Sequence, residues 1–248
     1  MKNKFSLAVL LICIASAFVV LMGLGFWQLQ RLEWKEAMIA RVEEGLNKPP
    51  LSIDEIEALD AAGEDIEYRP AFAEGTFLHD AEQHYFATYR SRVGYFVYTP
   101  LVMDDGKRLF VNRGFVPMER KDASSRPEGQ IVGRVRIEGL ARTAPTEKPN
   151  SQVPNNDLTK NVYYWKSLSQ MAGRAYDKTE FDTASVFLDA GEGVAPGGLP
   201  IGGVTRITFS NNHLQYAYTW FGLAAALVGV GGFFLFSLVR GSKENEVA

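Results

Sequence analysis

Two long stretches of the chain carry no formal charge: Asp, Glu, Lys and Arg are absent from Phe5 to Gln30 and again from Ile207 to Val239. A helix over Phe5 to Leu29 would extend about 37 Å, more than the roughly 30 Å hydrocarbon core of a bilayer. Inside hydrocarbon the backbone must satisfy its own hydrogen bonds, so such a run reads as a spanning helix. Tyr216 to Val239 reads as a second span, closed by Arg240. For the first run the rival is a cleaved signal peptide, because Lys2 and Lys4 precede it and Ala15-Ser16-Ala17 resembles a small-residue cleavage site. The run continues past that site through Phe26 and ends in a Trp and Arg interface anchor, which favours the span.

Two spans put both ends on one side. Their short positive flanks place that side in the cytoplasm and the middle of the chain in the periplasm. The absence of an Arg-rich, Ser-rich presequence points to a bacterial plasma membrane rather than mitochondrial import. The expected organisation is a transmembrane helix over 1–29, an extramembrane domain over 30–212, a second transmembrane helix over 213–239 and a cytoplasmic tail over 240–248. In the second span Gly222 and Ala226, like Ala225 and Gly229, stand four apart, a spacing that admits another helix closely. The first span is the expected partner.

Setting aside Lys2, Lys4, Arg240, Lys243, Glu244 and Glu246 leaves 22 basic and 27 acidic residues for the middle, a net charge of −5 that excludes a nucleic-acid partner by electrostatics. The single cysteine, Cys13, allows neither an intrachain disulfide nor a thiolate metal site. Arg31 to Gly45 continues helically, and Ser52 with Glu55 forms a capping box for a short helix through Leu59. Tyr95 to Met103 and Arg108 to Val116 flank Asp104-Asp105-Gly106-Lys107 as a β-hairpin. Ile131, Gly133, Val135 and Ile137 alternate with Arg134, Arg136 and Glu138, as in a strand with one wet face. Tyr163 to Trp165, Val186 to Asp189 and Val204 to Phe209 read as shorter strands, with a helix over Ser167 to Ala175. The fold class expected is two transmembrane helices flanking a mostly antiparallel α+β domain, either a sheet or a partly open barrel.

Of three histidines, His213 stands where the domain hands the chain to the second span, with Asn211 as an N-cap. His213, Tyr216, Ala217 and Trp220 follow i, i+3, i+4, i+7 spacing, and Trp27, Arg31 and Trp34 follow i, i+4, i+7 on the first helix. Both faces lie at one membrane level, so they are expected to meet. An imidazole can ligate haem iron, aromatic rings can flank a macrocycle and a guanidinium can pair with propionates; ordinary interfacial anchoring explains the same residues. In His79-Asp80-Ala81-Glu82-Gln83-His84, residues Asp80, Glu82 and His84 would share a strand face and reach a metal, while a solvated turn is the simpler reading. Arg113 and Arg69 read as buried charges bonded to backbone. No hydrolase, metalloprotease, phosphate-loop or dinucleotide motif occurs, so no enzymatic activity is expected.

Leu24-Gly25-Phe26-Trp27-Gln28-Leu29-Gln30-Arg31 with Trp34-Lys35 resembles the opening signature of the Surfeit locus protein 1 family. Tyr68-Arg69-Pro70, Gly75-Thr76-Phe77, Gly94-Tyr95, Thr99-Pro100-Leu101 and Val111-Asn112-Arg113-Gly114-Phe115-Val116-Pro117 follow in the family's order. Tyr164-Trp165, Gly197-Gly198, Asn211-Asn212-His213-Leu214-Gln215-Tyr216-Ala217 and Thr219-Trp220-Phe221 complete it. Two departures, Phe115 where tryptophan is common and a Tyr89 to Gly94 stretch shorter than the usual glycine-containing loop, are expected at the domain's periphery. The resemblance implies a cytochrome c oxidase assembly factor acting when haem a reaches the catalytic subunit of a haem-copper oxidase. Its partners would be that subunit, the haem a synthesis enzymes and membrane lipid. It also implies that His213 is the haem ligand, and the helix-face spacing would then put Tyr216, Trp220, Trp27, Arg31 and Trp34 around the cofactor. A haem-independent scaffold for the nascent subunit is the alternative, and a periplasmic hydrolase on an anchor is disfavoured.

Overall fold

The structure, a computed structural model, describes residues 2–176, 182–193, 195–205 and 211–244. The chain divides into two compact units, Met1–Arg41 together with Thr208–Ala248, and Val42–Ile207. Two helices are long and apolar enough to cross a membrane: Leu7–Leu46, whose most apolar 18 residues have mean hydropathy 2.9, and His213–Ser237, where that mean is 1.8. They belong to α1 (Lys2–Leu46) and to the last helix of the chain. The helical stretch from Arg31 to Arg41 groups with the helix pair rather than with the strands.

In the second unit β1 (Leu51–Ser52) leads into α2 (Ile53–Ala61), whose start is fixed by the expected capping box. The Ser52 N–H donates to Glu55 Oε2 at 2.8 Å and the Glu55 N–H donates back to Ser52 Oγ at 3.4 Å. Then come β2 (Pro70–Phe77), β3 (Gln83–Tyr89), β4 (Arg92–Met103), β5 (Arg108–Pro117) and β6 (Arg134–Thr143). The series ends with α3 (Leu168–Ala175) and β7 (Thr183–Ala190). The strands pair in the order β1-β2-β6-β7-β5-β4-β3, and β2 also pairs β4, so β2, β6, β7, β5 and β4 form a closed five-stranded barrel. Four of its five contacts are antiparallel and only β5 with β7 is parallel.

Closure depends on the length of β4. Its twelve residues serve two partners along one edge, β3 through Arg92–Tyr98 and β2 through Leu101–Met103. The β2–β4 join spans three residue pairs, and at Gly75 a Cβ would lie 2.1 Å from the Val102 carbonyl oxygen. Only a glycine lets the two backbones meet there.

Alternation along the strands fills the interior. Ala71, Ala73 and Phe77 of β2, Leu109 and Val111 of β5, and Ala184, Val186 and Leu188 of β7 join Ile53 and Ile56 of α2 in one buried cluster. A five-stranded barrel is narrow, and its alanines leave room for the isoleucines of α2. Residues of opposite parity face outward: Phe110 and Phe187 form a second cluster with Tyr98, Tyr163 and Met171 of α3. Every residue of β5 is therefore buried. On β6 the wet face holds Arg134, with Glu74 at 2.6 Å and Asp104 at 2.5 Å, and Arg136, with Glu74 at 2.9 Å. Such exposed pairs contribute about 0–1 kcal/mol each.

The Asp104–Lys107 turn forms as expected, with Gly106 at φ 87° and the Lys107 N–H donating to Asp105 Oδ1 at 2.9 Å. Tyr163–Trp165 is not a strand: it makes one bridge, Tyr85 to Tyr163, along the outer edge of β3. Val204 and Thr205 carry no strand, and 206–209 of that expected strand lie outside the described residues. Phe115 is not peripheral, as expected from its departure, but fully buried, with ring centroids 5.5 Å from Tyr89 and 6.2 Å from Phe96. The short Tyr89 to Gly94 stretch is a two-residue turn with Arg90 at φ 48° and Ser91 at φ 63°. That left-handed geometry matches the twist of the flanking strands.

At Gly114, φ is 117° and a Cβ would stand 1.8 Å from the Ile201 carbonyl oxygen, whereas Gly63, at φ 81°, faces open space. Gly63→Ala therefore costs roughly 1–2 kcal/mol from backbone geometry alone. Gly114→Ala adds displacement of the Ile201 segment, for a total of roughly 3–5 kcal/mol. Thermal unfolding of the two variants measures the difference; equal losses would show that the Ile201 segment yields.

Candidate functional site at the helix pair

The second membrane helix is α4 (His213–Glu244). A stripe of less exposed positions runs along it through His213, Ala217, Trp220, Ala224, Leu227 and Gly231, spaced alternately four and three apart. On α1 the corresponding positions are Leu21, Gly25, Gln28, Leu32 and Lys35. This 3.5-residue repeat is that of a left-handed two-helix seam, and the contacts run antiparallel along it. Ile14 lies beside Gly231, Gly25 beside Phe221 and Gln28 beside His213. At Gly25 a Cβ would stand 2.4 Å from the Phe221 ring, and Phe26 meets the same ring edge-on at 5.5 Å.

The pairs Gly222 with Ala226 and Ala225 with Gly229 do not form the contact expected of them. All four are exposed, and nothing approaches within 4 Å of the Cβ positions of Gly222 and Gly229. The seam follows the heptad spacing of Ala217, Ala224 and Gly231, which keeps one side facing a supercoiled neighbour; a four-residue spacing rotates away from it.

At the start of α4 the His213 Nδ1 lies 2.7 Å from Gln28 Oε1. Gln28 is 8% exposed in a stretch without charged residues, and Ala217, one turn on from His213, is buried. Asn211 does not cap the helix: α4 begins at His213, the Tyr216 N–H donates to Asn212 O at 3.1 Å, and Asn211 Oδ1 is buried without a hydrogen-bond partner among the described residues. The Trp220 indole N–H is likewise buried and without a partner there. Asn211, Asn212, Leu214, Gln215, Tyr218 and Thr219 line an open groove of about 610 Å³ on the other side of the helix.

Trp27, Arg31 and Trp34 share a face as expected, with the Arg31 guanidinium 4.3 Å from the Trp34 ring centroid. That face is not the one that meets His213. Trp27 and Trp34 are 52% and 48% exposed, and the next residue, Gln28, takes the contact. One position corresponds to 100° of helix rotation, enough to move a side chain from seam to flank. Tyr216 is 54% exposed at the margin of the His213, Ala217 and Trp220 face. Gln28 was legible only as a polar side chain near the end of an apolar run, with Gln30 two positions on.

The barrel holds a separate polar cluster. His84 and Glu82 are buried rather than in a solvated turn, and Asp80, their supposed metal partner, is exposed. His84 Nε2 lies 3.0 Å from Glu82 Oε1, and Arg126 donates to the same oxygen. Among the described residues no group of three or more His, Cys, Asp or Glu is placed to hold a metal. Arg113 is fully buried, as expected: it donates to the Gly129 carbonyl, lies over the Phe77 ring at 4.8 Å and reaches His79 Nδ1 at 3.4 Å. Burial pushes its pKa down to about 10, against the pull of Glu82. Arg69 is half-buried and donates to the Gly45 carbonyl at 3.5 Å.

Asp189 of β7 anchors a second cluster. Asn112 Nδ2 donates to Oδ1 at 2.9 Å, and Arg142 and the Thr205 hydroxyl each donate to Oδ2 at 2.7 Å. The run Asn112-Arg113-Gly114 is thus explained residue by residue: it bonds β7, fills the opposite face and admits the Ile201 backbone.

A closed five-stranded barrel carried with two membrane-length helices, one of which presents an imidazole against the other, defines a membrane-anchored β-barrel protein. The SURF1 family model matches residues 15–225, and the chain belongs to the SURF1 family. It is 35% identical to Surfeit locus protein 1 of Xenopus tropicalis over 84% of this chain and 70% of that one. Against Surfeit locus protein 1 of Homo sapiens the identity is 36%, over 90% and 75%. The SURF1-like protein of Monosiga brevicollis is 36% identical over 84% and 80%.

The barrel's polar cluster makes stability depend on pH. Burial first, then the Arg113 charge, holds His79 below its ordinary 6.5 despite the hydrogen bond to Ile131. Burial raises Glu82, but His84 and Arg126 prevail and keep it below 4.5. Both groups bind protons less readily folded than unfolded, so their contribution is whole above the unfolded values and is lost as pH falls through the lowered ones. The unfolding midpoint should drop between about pH 7.5 and pH 5, and further below 4.5. His79→Gln should flatten the upper part of that decline, whereas an unaltered slope in this variant would exclude His79 as its source.

Proposed function

We propose that the protein is an assembly factor for a haem-copper terminal oxidase, which binds haem a at the outer membrane interface and aids its insertion into the catalytic subunit. Membership of the SURF1 family supports the first part, and the placement of His213 supports the second. The observation that carries the reading is a single imidazole at the first residue of a membrane helix, held by its Nδ1 against the partner helix. The donor set fits a haem: His213 offers a nitrogen ligand, Tyr216 and Trp220 offer rings, the buried Trp220 indole N–H has no partner among the described residues, and Arg31, on the flank of the seam, offers a cation for a carboxylate. Ligation by one side chain at an open helix start suits a carrier, because cargo held by few bonds passes to a partner that supplies more. In this reading the chain is a multi-pass protein of a bacterial plasma membrane with its barrel in the periplasm. Its role is non-catalytic, and its partners are the oxidase subunit and the haem a synthesis enzymes.

The full chain, purified after co-expression with haem a synthesis enzymes, should carry haem visible by absorption, and His213→Ala should lose it or shift its spectrum. Unchanged haem content and spectrum in His213→Ala would remove the histidine from the function. A second reading, a haem-independent scaffold for the nascent subunit, is favoured by the exposed face of Trp27, Arg31 and Trp34. Interfaces are rich in Trp and Arg. Under that reading His213→Ala leaves oxidase assembly intact, while alanine at Trp27 and Trp34 reduces it.

A further inference from the structure

We infer that Gln28 is a positioning residue for His213: its side-chain oxygen accepts the Nδ1 proton, fixes the imidazole as the Nδ1–H tautomer and leaves the Nε2 lone pair as the ligating atom. The contact is short, 2.7 Å from Nδ1 to Oε1. An amide oxygen only accepts, so the proton must sit on Nδ1. Once one ring nitrogen of a neutral imidazole donates, the other presents its lone pair. Among the described residues Nε2 makes no hydrogen bond.

The burial of Gln28 adds a second argument. A carboxamide in an apolar helix seam loses its hydration and costs free energy unless it is bonded. Here it is 8% exposed, one turn beyond Gly25, where the two helices approach closely enough that a Cβ would enter the Phe221 ring. The seam therefore fixes the distance between backbones, and the Gln28 side chain spans what is left. The ring of His213 is oriented by α1 although it belongs to α4. A side chain that ligates a metal is commonly held through its second nitrogen in this way, and loss of such a partner weakens metal affinity about 10–100-fold.

This inference rests on the haem reading for its purpose but not for its geometry, and the test separates the two. In the full chain in detergent micelles without haem, ¹⁵N NMR of the imidazole should report the Nδ1–H tautomer for His213. Gln28→Leu, which removes the acceptor and keeps an apolar seam, should move it toward the Nε2–H form that a free side chain prefers. Gln28→Glu, which keeps an acceptor, should retain the proton on Nδ1. With ferric haem as the probe, dissociation from Gln28→Leu should be about 10–100-fold faster than from the unaltered chain, while Gln28→Glu holds it. An Nε2–H tautomer in the unaltered chain, or a tautomer unmoved by Gln28→Leu, would overturn the inference whatever the haem result. If the tautomer moves as expected while neither Gln28→Leu nor His213→Ala alters haem dissociation, the positioning contact stands and the haem reading falls.

Discussion

The carboxylate of Asp189 holds the barrel together. It sits buried on β7 and collects β5 through Asn112, β6 through Arg142 and the segment beyond Ile201 through Thr205. A buried carboxylate without partners would cost several kcal/mol, so the three donors are required by its presence rather than added to it. Arg142 is in turn shared with Glu67 at 2.6 Å. Burial works against its charge, yet the two carboxylates raise its pKa further above the usual arginine value. The interaction fixes register as well as energy, because β5 and β7 are the one parallel pair in the ring and no tight turn joins them.

From that anchored strand the rest of the barrel follows. Alternation along β5 sends Leu109 and Val111 inward against the isoleucines of α2 and Phe110 outward under α3. At Arg113 the alternation places a guanidinium where no water reaches, and the chain answers with the Gly129 carbonyl, the Phe77 ring and a neutral His79. The two histidines of the 79–84 stretch thus serve burial of arginines. Their spacing resembles a ligand set only while the chain is viewed as one strand, since a turn over His79–Ala81 separates them.

The helix pair works by a different balance. In hydrocarbon no hydrophobic force draws helices together, so close packing and the few polar contacts decide the geometry. Gly25 supplies the approach, Ala217, Ala224 and Gly231 supply a smooth facing surface, and the bond from Gln28 to His213 locks the register. Of the residues expected around His213, Trp220 lies on the seam while Trp27, Arg31 and Trp34 flank it, where Trp27 and Trp34 are exposed to lipid, cargo or another protein.

Much of this was determined by the sequence alone. Two uncharged runs dictated two membrane-length helices, since charge is the costliest thing to place in hydrocarbon, and the β-branched and aromatic runs on either side of Asp104–Lys107 dictated a hairpin. The capping box at Ser52 and the helix at Leu168–Ala175 were legible because their signals are local. Local signals could not show that β2 closes onto β4, that Asp189 and Glu82 would be buried hubs, or that Gln28 rather than Trp27 would face His213. Those outcomes were decided by the tertiary structure. Partners far apart in the chain meet only after packing fixes the rotation of each element, and a rotation of one residue carries a side chain from the contact to the flank.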